Sequence, residues 1–398
     1  MTTRKYMPDS LTDLFAVTAP GLEALAAREL LAMGATNCVA TRGGVEWKGG
    51  ARDLYSANLW LRTVSRVLVR VSQFHAATFY ELERRAKRVP WRDFVGAGRG
   101  VRFLVTCHKS ALYHSDAVAE RLIRSVTAAT GAASGKALMA SASKSAETGE
   151  MGEEDDEPDN GAQLFVVRID HDTVNISVDS SGALLHRRGY RQSIAKAPVR
   201  ETLAAAMLMS SGWDPNTPLV DPMCGAGTIP IEAALMARRI APGIRRSFAI
   251  ERWPGFDAKV WEELRVAARE GELARAPSPI VASDRDAGGV QAAIDNAVRA
   301  GVAADVQVLN RPLSAAEPVG QPPGWIMTNP PYGIRVGTDL RNLYARLGTL
   351  TRKEFQGWRL GMLSAAPALD RQLGVPLEQV FETRNGGIKI RFMVTGGR

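Results

Sequence analysis

Two short stretches carry the residue types from which a reactive site is built. Residues 329–332 read Asn-Pro-Pro-Tyr, directly after the strand-like run 325–328. Successive prolines fix the backbone in an extended turn and remove two amide donors. What remains is carbonyl oxygen, the Asn329 side chain and the flat ring of Tyr332, an acceptor-rich pocket suited to a planar amino group. Asn329 and the Pro330 carbonyl can accept the two amine hydrogens while Tyr332 stacks on the ring that carries them. Pro331 completes the turn, so Asn329, Pro330, Pro331 and Tyr332 are the candidate catalytic residues. Holding such a nitrogen in line with an electrophilic methyl carbon is catalysis by positioning, and it requires no strong base.

The second stretch, 221–228, reads DPMCGAGT between a short apolar strand and a helical run. Gly225 and Gly227 lack Cβ atoms, so the backbone can turn sharply and a ligand can approach it. The following helix points free amide groups at this loop and favours a carboxylate there. Asp221, at the strand end, is placed to hold a positively charged amino group. No Lys-Ser or Lys-Thr follows the glycines, which excludes a phosphate loop. The third glycine of a dinucleotide fingerprint is also absent. The next strand ends at Ser283-Asp284. An acid at that point is placed to accept from both ribose hydroxyls, whereas capping suffices to explain Asp286. An acid with a GxG turn and no phosphate cradle suits a nucleoside cofactor such as S-adenosylmethionine.

The elements that must position these residues fall into two styles. From about 199 onward helices and strands alternate. The expected elements are helix 199–209, strand 219–220, a helix reaching about 239, strand 279–283, helix 287–300 and strands 306–309 and 325–328. This is the pattern of a parallel, doubly wound sheet. Before it the pattern is shorter and more mixed, and suggests α+β layers. Its expected strands are 14–18, 37–41, 45–48, 66–73, 101–106, 163–170 and 173–179, with helices at 20–33 and 115–129. Residues 171–172 form the turn between the last two strands. The boundary between the two styles is placed at 180–200. Residues 131–160, rich in Gly, Ala, Ser and acids, read as a disordered insertion.

The 398 residues carry 50 Lys and Arg against 42 Asp and Glu, a net charge of +8. Residues 131–160 hold two lysines against eight acids, a net of −6, which leaves +14 on the remainder. A basic balance hints at a nucleic-acid partner. The run 186–200 contains Arg187, Arg188, Arg191, Lys196 and Arg200 around Tyr190, with no acid, and a second group spans 238–252. Arginines beside a stacking ring suit unpaired RNA, so Arg187, Arg188, Tyr190, Arg191 and Lys196 are the candidate RNA contacts. The apolar fraction of 45% excludes general disorder, and three scattered cysteines exclude a disulfide scaffold. No apolar run approaches a membrane span and the polar first ten residues do not read as a signal peptide, so a cytoplasmic protein is expected. The five histidines, at 75, 108, 114, 171 and 186, show no ligand spacing, and no metal is expected.

The stretches LHRRGYR (185–191), APVRETLAAAM (197–207), DPMCGAGTIPIEAALMA (221–237) and NPPYGIR (329–335) together resemble the class I S-adenosylmethionine-dependent methyltransferases. More narrowly, they resemble the THUMP-domain RNA guanine-N2 methyltransferases. The resemblance implies a ferredoxin-like part at 1–60, a THUMP-like RNA-binding domain at 61–184 carrying the insertion, and a Rossmann-like methyltransferase domain at 185–398. It implies S-adenosylmethionine as cofactor, with contacts at Glu201, Thr202, Asp221, Cys224, Gly225, Gly227, Thr228, Asp284, Asn310 and Asn329. Asn310 stands where the family commonly has an acid on the adenine amine. The resemblance also implies transfer to a guanine N2 in structured RNA, with 23S rRNA first and tRNA as its rival. Other expectations stay open: a DNA adenine or protein glutamine as acceptor, an RNA-binding assembly factor with an inactive domain, and a nucleotide-dependent oxidoreductase, which the missing fingerprint disfavours.

Overall fold

The computed structural model describes residues 11–132, 136–138, 161–192, 199–332 and 338–396. In chain order the first half contains β1 (Thr12–Thr18), α1 (Glu23–Ala32), β2 (Val39–Thr41), β3 (Gly44–Gly49), α2 (Ala51–Trp60) and β4 (Val64–His75). It continues with α3 (Phe79–Ala86), β5 (Val101–His108), α4 (Ser115–Thr130), β6 (Lys136–Leu138), β7 (Gln163–Asp170) and β8 (Thr173–Asp179). The second half contains α5 (Glu201–Ser211), β9 (Leu219–Asp221), α6 (Thr228–Ala237), α7 (Ala258–Glu270), β10 (Ile280–Asp284) and α8 (Ala287–Ala300). It ends with β11 (Val306–Asn310), β12 (Trp325–Thr328), α9 (Thr338–Lys353), β13 (Arg359–Ser364), α10 (Pro367–Asp370), β14 (Leu377–Asn385) and β15 (Ile388–Thr395).

The chain divides into two compact units. The first comprises residues 1–185 together with 246–266, and the second comprises 186–245 and 267–398.

The first unit is built on an eight-stranded sheet of order β2-β3-β1-β4-β8-β7-β5-β6. Its opening run, β1-α1-β2-β3-α2-β4, is the split β-α-β order of a ferredoxin-like module. The hairpin expected at 163–179 forms with its turn at His171 and Asp172, both at positive φ (47° and 60°), as a two-residue turn that follows strand twist requires. A buried Arg66–Asp179 pair at 2.6 Å ties β4 to the end of β8, and Arg66 also donates to the Gly182 carbonyl. The excursion 246–266 packs into this unit through aromatic side chains. Trp253 Nε1 donates to Gln163 Oε1 at 2.7 Å, and Tyr55 meets the rings of Phe256 and Trp261.

One expectation fails here. Part of the insertion expected to be disordered, Lys136–Leu138, is a strand that pairs in parallel with Arg102–Leu104 of β5. The unpaired edge of β5 accepts this short segment despite its loop-like composition, because ladder hydrogen bonds do not depend on side chains. Residues 133–135 and 139–160 of the insertion lie outside the described residues.

The second unit is built on a seven-stranded sheet of order β11-β10-β9-β12-β13-β15-β14. The first five strands run parallel, and β15 is antiparallel to both its neighbours. Asp286 caps α8 by accepting from the amides of Gly288 and Gly289, and Gly301 closes that helix in the left-handed conformation. The core joins Val220, Val281, Ile326 and Leu360 of the sheet to Tyr344, Leu347 and Leu350 of α9. Chain order reverses at β9, whose neighbours β10 and β12 lead to opposite sides. Such a switch point leaves a crevice beyond the strand ends. Among the described residues no helix is long and apolar enough to cross a membrane.

Candidate active site

A cavity of about 590 Å³ lies at that switch point, entirely within the second unit. Three strand ends supply its polar groups: Asp221 from β9, Asp284 from β10 and Asn329 just after β12.

Asp221 is 1% exposed. Its Oδ1 accepts from the Thr328 hydroxyl at 2.8 Å and from the Met223 amide at 3.2 Å. Burial, reinforced by the charge of Asp284, pushes its pKa up to about 7. Among the described residues no cation pairs with it. A carboxylate kept dry without a counter-charge is costly, and a ligand cation in the cavity relieves that cost.

The loop after β9 is held from the β10 end. The Cys224 amide donates to the Ser283 carbonyl and the Gly225 amide donates to Asp284 Oδ2, both at 2.9 Å. Asp284 Oδ1 accepts from the Asp286 amide at 2.9 Å. Each carboxylate oxygen keeps a second lone pair for a ligand hydroxyl. The two glycines have different reasons for being glycine. Gly225 has φ +50° and open space where a Cβ would stand, as a ligand-facing turn requires. Gly227 has φ +82°, and a Cβ there would lie 2.9 Å from the Cβ of Ala293, so it is fixed by packing against α8. Cys224 and Thr228 line the wall. Burial raises the Cys224 thiol far above its ordinary range, so it is not a nucleophile.

The Asn-Pro-Pro-Tyr turn forms the other wall. Asn329 Oδ1 is buried and has no hydrogen-bond partner among the described residues. Tyr332 bonds with the side chain of Asn385 at the end of β14, and burial raises its phenol. Asn385 lies more than fifty residues downstream, and no sequence signal singled it out.

Four expected cofactor contacts do not line the cavity. Gly227 is the packing glycine just described. Glu201 is turned away, its side chain 2% exposed and bonded to Arg191 at 2.9 Å, with burial pushing its pKa up to about 7. Thr202 beside it is also off the wall. Asn310 is exposed, and its amide nitrogen donates to the carbonyls of Asp284 (3.0 Å) and Arg285 (3.3 Å). It therefore secures the β10 loop, and the cavity wall near it is made by Pro312, Leu313 and Ser314.

Three of the five expected RNA contacts are also engaged within the structure. Tyr190 is 2% exposed and donates its hydroxyl to Glu232 at 3.1 Å, so its ring offers no stacking face. Arg188, 3% exposed, lies 3.5 Å from the same Glu232, and Arg191 is bonded to Glu201 and to the Val199 carbonyl. Residues 186–191 form a strap in which Arg188 and Arg191 lie against two buried acids on α5 and α6. Arg187 is half-buried, and Lys196 lies outside the described residues.

The histidine spacing also hid a cluster, in the first unit. The parallel register of β5 and β7 sets His108 opposite Asp170. Asp170 Oδ1 lies 2.7 Å from His108 Nδ1 and 3.0 Å from His171 Nδ1. One ligand atom from each of the three lies within 4.8 Å of the others, close enough to share a metal ion.

Sheet order, Gly-rich turn, two strand-end acids and the proline turn define a class I methyltransferase fold with a cavity at its strand ends. A family model described as "RMKL-like, methyltransferase domain" matches residues 188–392, and one described as "RlmL ferredoxin-like domain" matches residues 13–68. The chain belongs to the RMKL-like methyltransferase family. It is 32% identical over 390 residues to "Putative RNA methyltransferase slr0064" of Synechocystis, covering 97% of this chain and 95% of that protein. The crystal structure of SMU.472, "a putative methyltransferase complexed with SAH", is 28% identical at a TM-score of 0.80, covering 98% of this chain and 99% of that one. A "predicted N6-adenine-specific DNA methylase" from Listeria monocytogenes is 29% identical at a TM-score of 0.81, covering 98% of this chain and 97% of that one.

Proposed function

We propose that the protein transfers a methyl group from S-adenosylmethionine to the exocyclic N2 of a guanine in structured RNA, with 23S rRNA as the first substrate and tRNA as the second. The buried Asn329 Oδ1, an acceptor without a donor among the described residues, carries the reading. Such an atom is expensive to leave unpaired, and an amine N–H of the target base is a fitting donor. The RNA assignment is supported by the relative described as an RNA methyltransferase, and the guanine assignment by the likeness of the four stretches quoted above.

The cavity fits the cofactor. Asp221 answers its ammonium, the open Gly225 turn and the start of α6 answer its carboxylate, and Asp284 answers its ribose hydroxyls. When bound, the cofactor supplies an electrophilic methyl. Asn329 and the Pro330 carbonyl then accept the two amine hydrogens and turn the nitrogen lone pair toward that carbon. Tyr332, held by Asn385, sets the plane of the base. The proton lost after transfer leaves from a cationic nitrogen that is already strongly acidic, so no dedicated base is needed.

The purified protein is incubated with tritiated cofactor and, separately, with undermethylated rRNA, tRNA and DNA, and the labelled nucleosides are resolved by mass spectrometry. N2-methylguanosine in RNA is the expected product. N6-methyladenosine, or label in DNA alone, overturns the assignment.

A further inference from the structure

We propose that one face of the α3 turn in the first unit is a binding surface for unpaired RNA; this rests on the RNA reading of the function above. α3 is strongly two-sided. Leu82 and Ala86 are fully buried, and Trp91 just beyond the helix donates its Nε1–H to the Ala86 carbonyl at 2.9 Å. Trp91 is itself wedged against the rings of Phe103 and Phe165. The helix end is thus rigidly seated. At 100° per residue, the opposite face of the helix carries Tyr80 and Arg84, and Lys87 and Arg88 follow in the turn that ends it.

All four of these side chains are exposed. Tyr80 is 73% exposed, with the Arg84 guanidinium 5.8 Å from its ring centre. Among the described residues no acid pairs with Arg84, Lys87 or Arg88. The two acids on the helix are occupied elsewhere. Glu81 accepts from the amides of Ala77 and Thr78, and Glu83 holds Arg121, which covers Phe79. A large aromatic ring on the solvent side of an amphipathic helix contributes nothing to the core. Beside three uncompensated cations it has the composition of a base-stacking platform with a phosphate track. The buried 186–191 strap lacks that combination.

The test is fluorescence anisotropy with the full chain, a labelled oligouridylate and a blunt RNA duplex of equal length, titrated between about 50 and 200 mM salt. The triple variant R84A/K87A/R88A is compared with R28A/K48A/R52A, which removes the same charge from exposed positions elsewhere on the same unit. The face variant should lower the salt slope by about 0.7 for each cation that holds a phosphate. It should weaken oligouridylate binding at least about tenfold, with the control near wild type. Tyr80→Ala should weaken the single strand about tenfold, spare the duplex and be rescued by Tyr80→Phe. Equal losses in both triple variants, or an unchanged Tyr80→Ala, overturn the surface while leaving the RNA reading intact. A wild-type protein that binds neither RNA overturns the RNA reading itself.

Discussion

With Asp221 in the proposed role, cofactor binding should be a proton-linked event, and the size of the link follows from the surroundings of this carboxyl. Its carboxyl has a pKa of about 7 in the free protein, because burial opposes ionisation and no cation among the described residues compensates. The ammonium of the cofactor pairs only with the ionised form, so binding competes with a proton. The cofactor's own amine, with an ordinary pKa of about 8, stays charged throughout the window below pH 7. At pH 7 about half of the Asp221 side chains are ionised, and at pH 5.5 about 3% are. Affinity should therefore fall about 15-fold from pH 7 to pH 5.5. Isothermal titration in buffers of different ionisation enthalpy measures this directly, and should also register about half a proton released per cofactor bound at pH 7. Asp221→Asn should bind more weakly and show no pH dependence. A constant wild-type affinity across the window, or the same pH dependence in Asp221→Asn, refutes the reasoning. The same shift acts on the fold with a definite sign. The folded pKa lies above the unfolded one, so the native state holds the extra proton and stability falls as pH rises from about 4 to 7. Cofactor should restore what is lost.

Three further outcomes are expected. Asn329→Ala should reduce methyl transfer at least about 100-fold while leaving cofactor affinity by titration largely intact, since the target amine loses its acceptor and the cofactor keeps its other contacts. Gly227→Ala should cost about 1–3 kcal/mol in thermal or denaturant unfolding, from the left-handed backbone alone. Contact with Ala293 adds to this, whereas Gly225→Ala, also left-handed but with open space at the Cβ position, should carry the backbone cost without the contact and should in addition lower cofactor affinity. Tyr190→Phe should leave the salt slope of RNA binding unchanged but lower stability by about 1–3 kcal/mol, because Glu232 loses a buried donor. A reduced salt slope with unchanged stability would restore Tyr190 to the RNA interface.

What was legible in the sequence was local. The hairpin 163–179 and the helix 287–300 follow from turn and cap residues that act within a few positions, and the structure reproduces those elements at the same residues. The two site motifs were legible because each sits where a strand ends, and the sheet order then brings them to one cavity. What was not legible depends on partners distant in sequence. Arginines 188 and 191 read as RNA contacts because nothing local reveals that Glu232 and Glu201 lie buried beneath them. Asn385 reaches Tyr332 only through the placement of β14, and His108 meets Asp170 only through strand register. Asn310 looked like a cofactor contact by position, but its amide is engaged by two carbonyls of the neighbouring loop.

The excursion 246–266 has a consequence for how the molecule can be made. The first unit is interrupted in sequence, because its last aromatic layer and the Arg246 donors to the carbonyls of Ser181, Ala183 and Leu184 arrive sixty residues after its main body. During vectorial synthesis the eight-stranded sheet leaves the ribosome before the segment that completes its packing. Part of the methyltransferase unit, 186–245, must emerge in between. The two units therefore cannot mature one after the other, and cutting the gene at residue 185 yields two fragments, neither of which is a whole unit. A fragment 1–185 lacks Trp253 against Gln163, and a fragment 186–398 carries Trp253, Phe256 and Trp261 without the Gln163 and Tyr55 side chains they meet. Both halves should be recovered in soluble form only when expressed together.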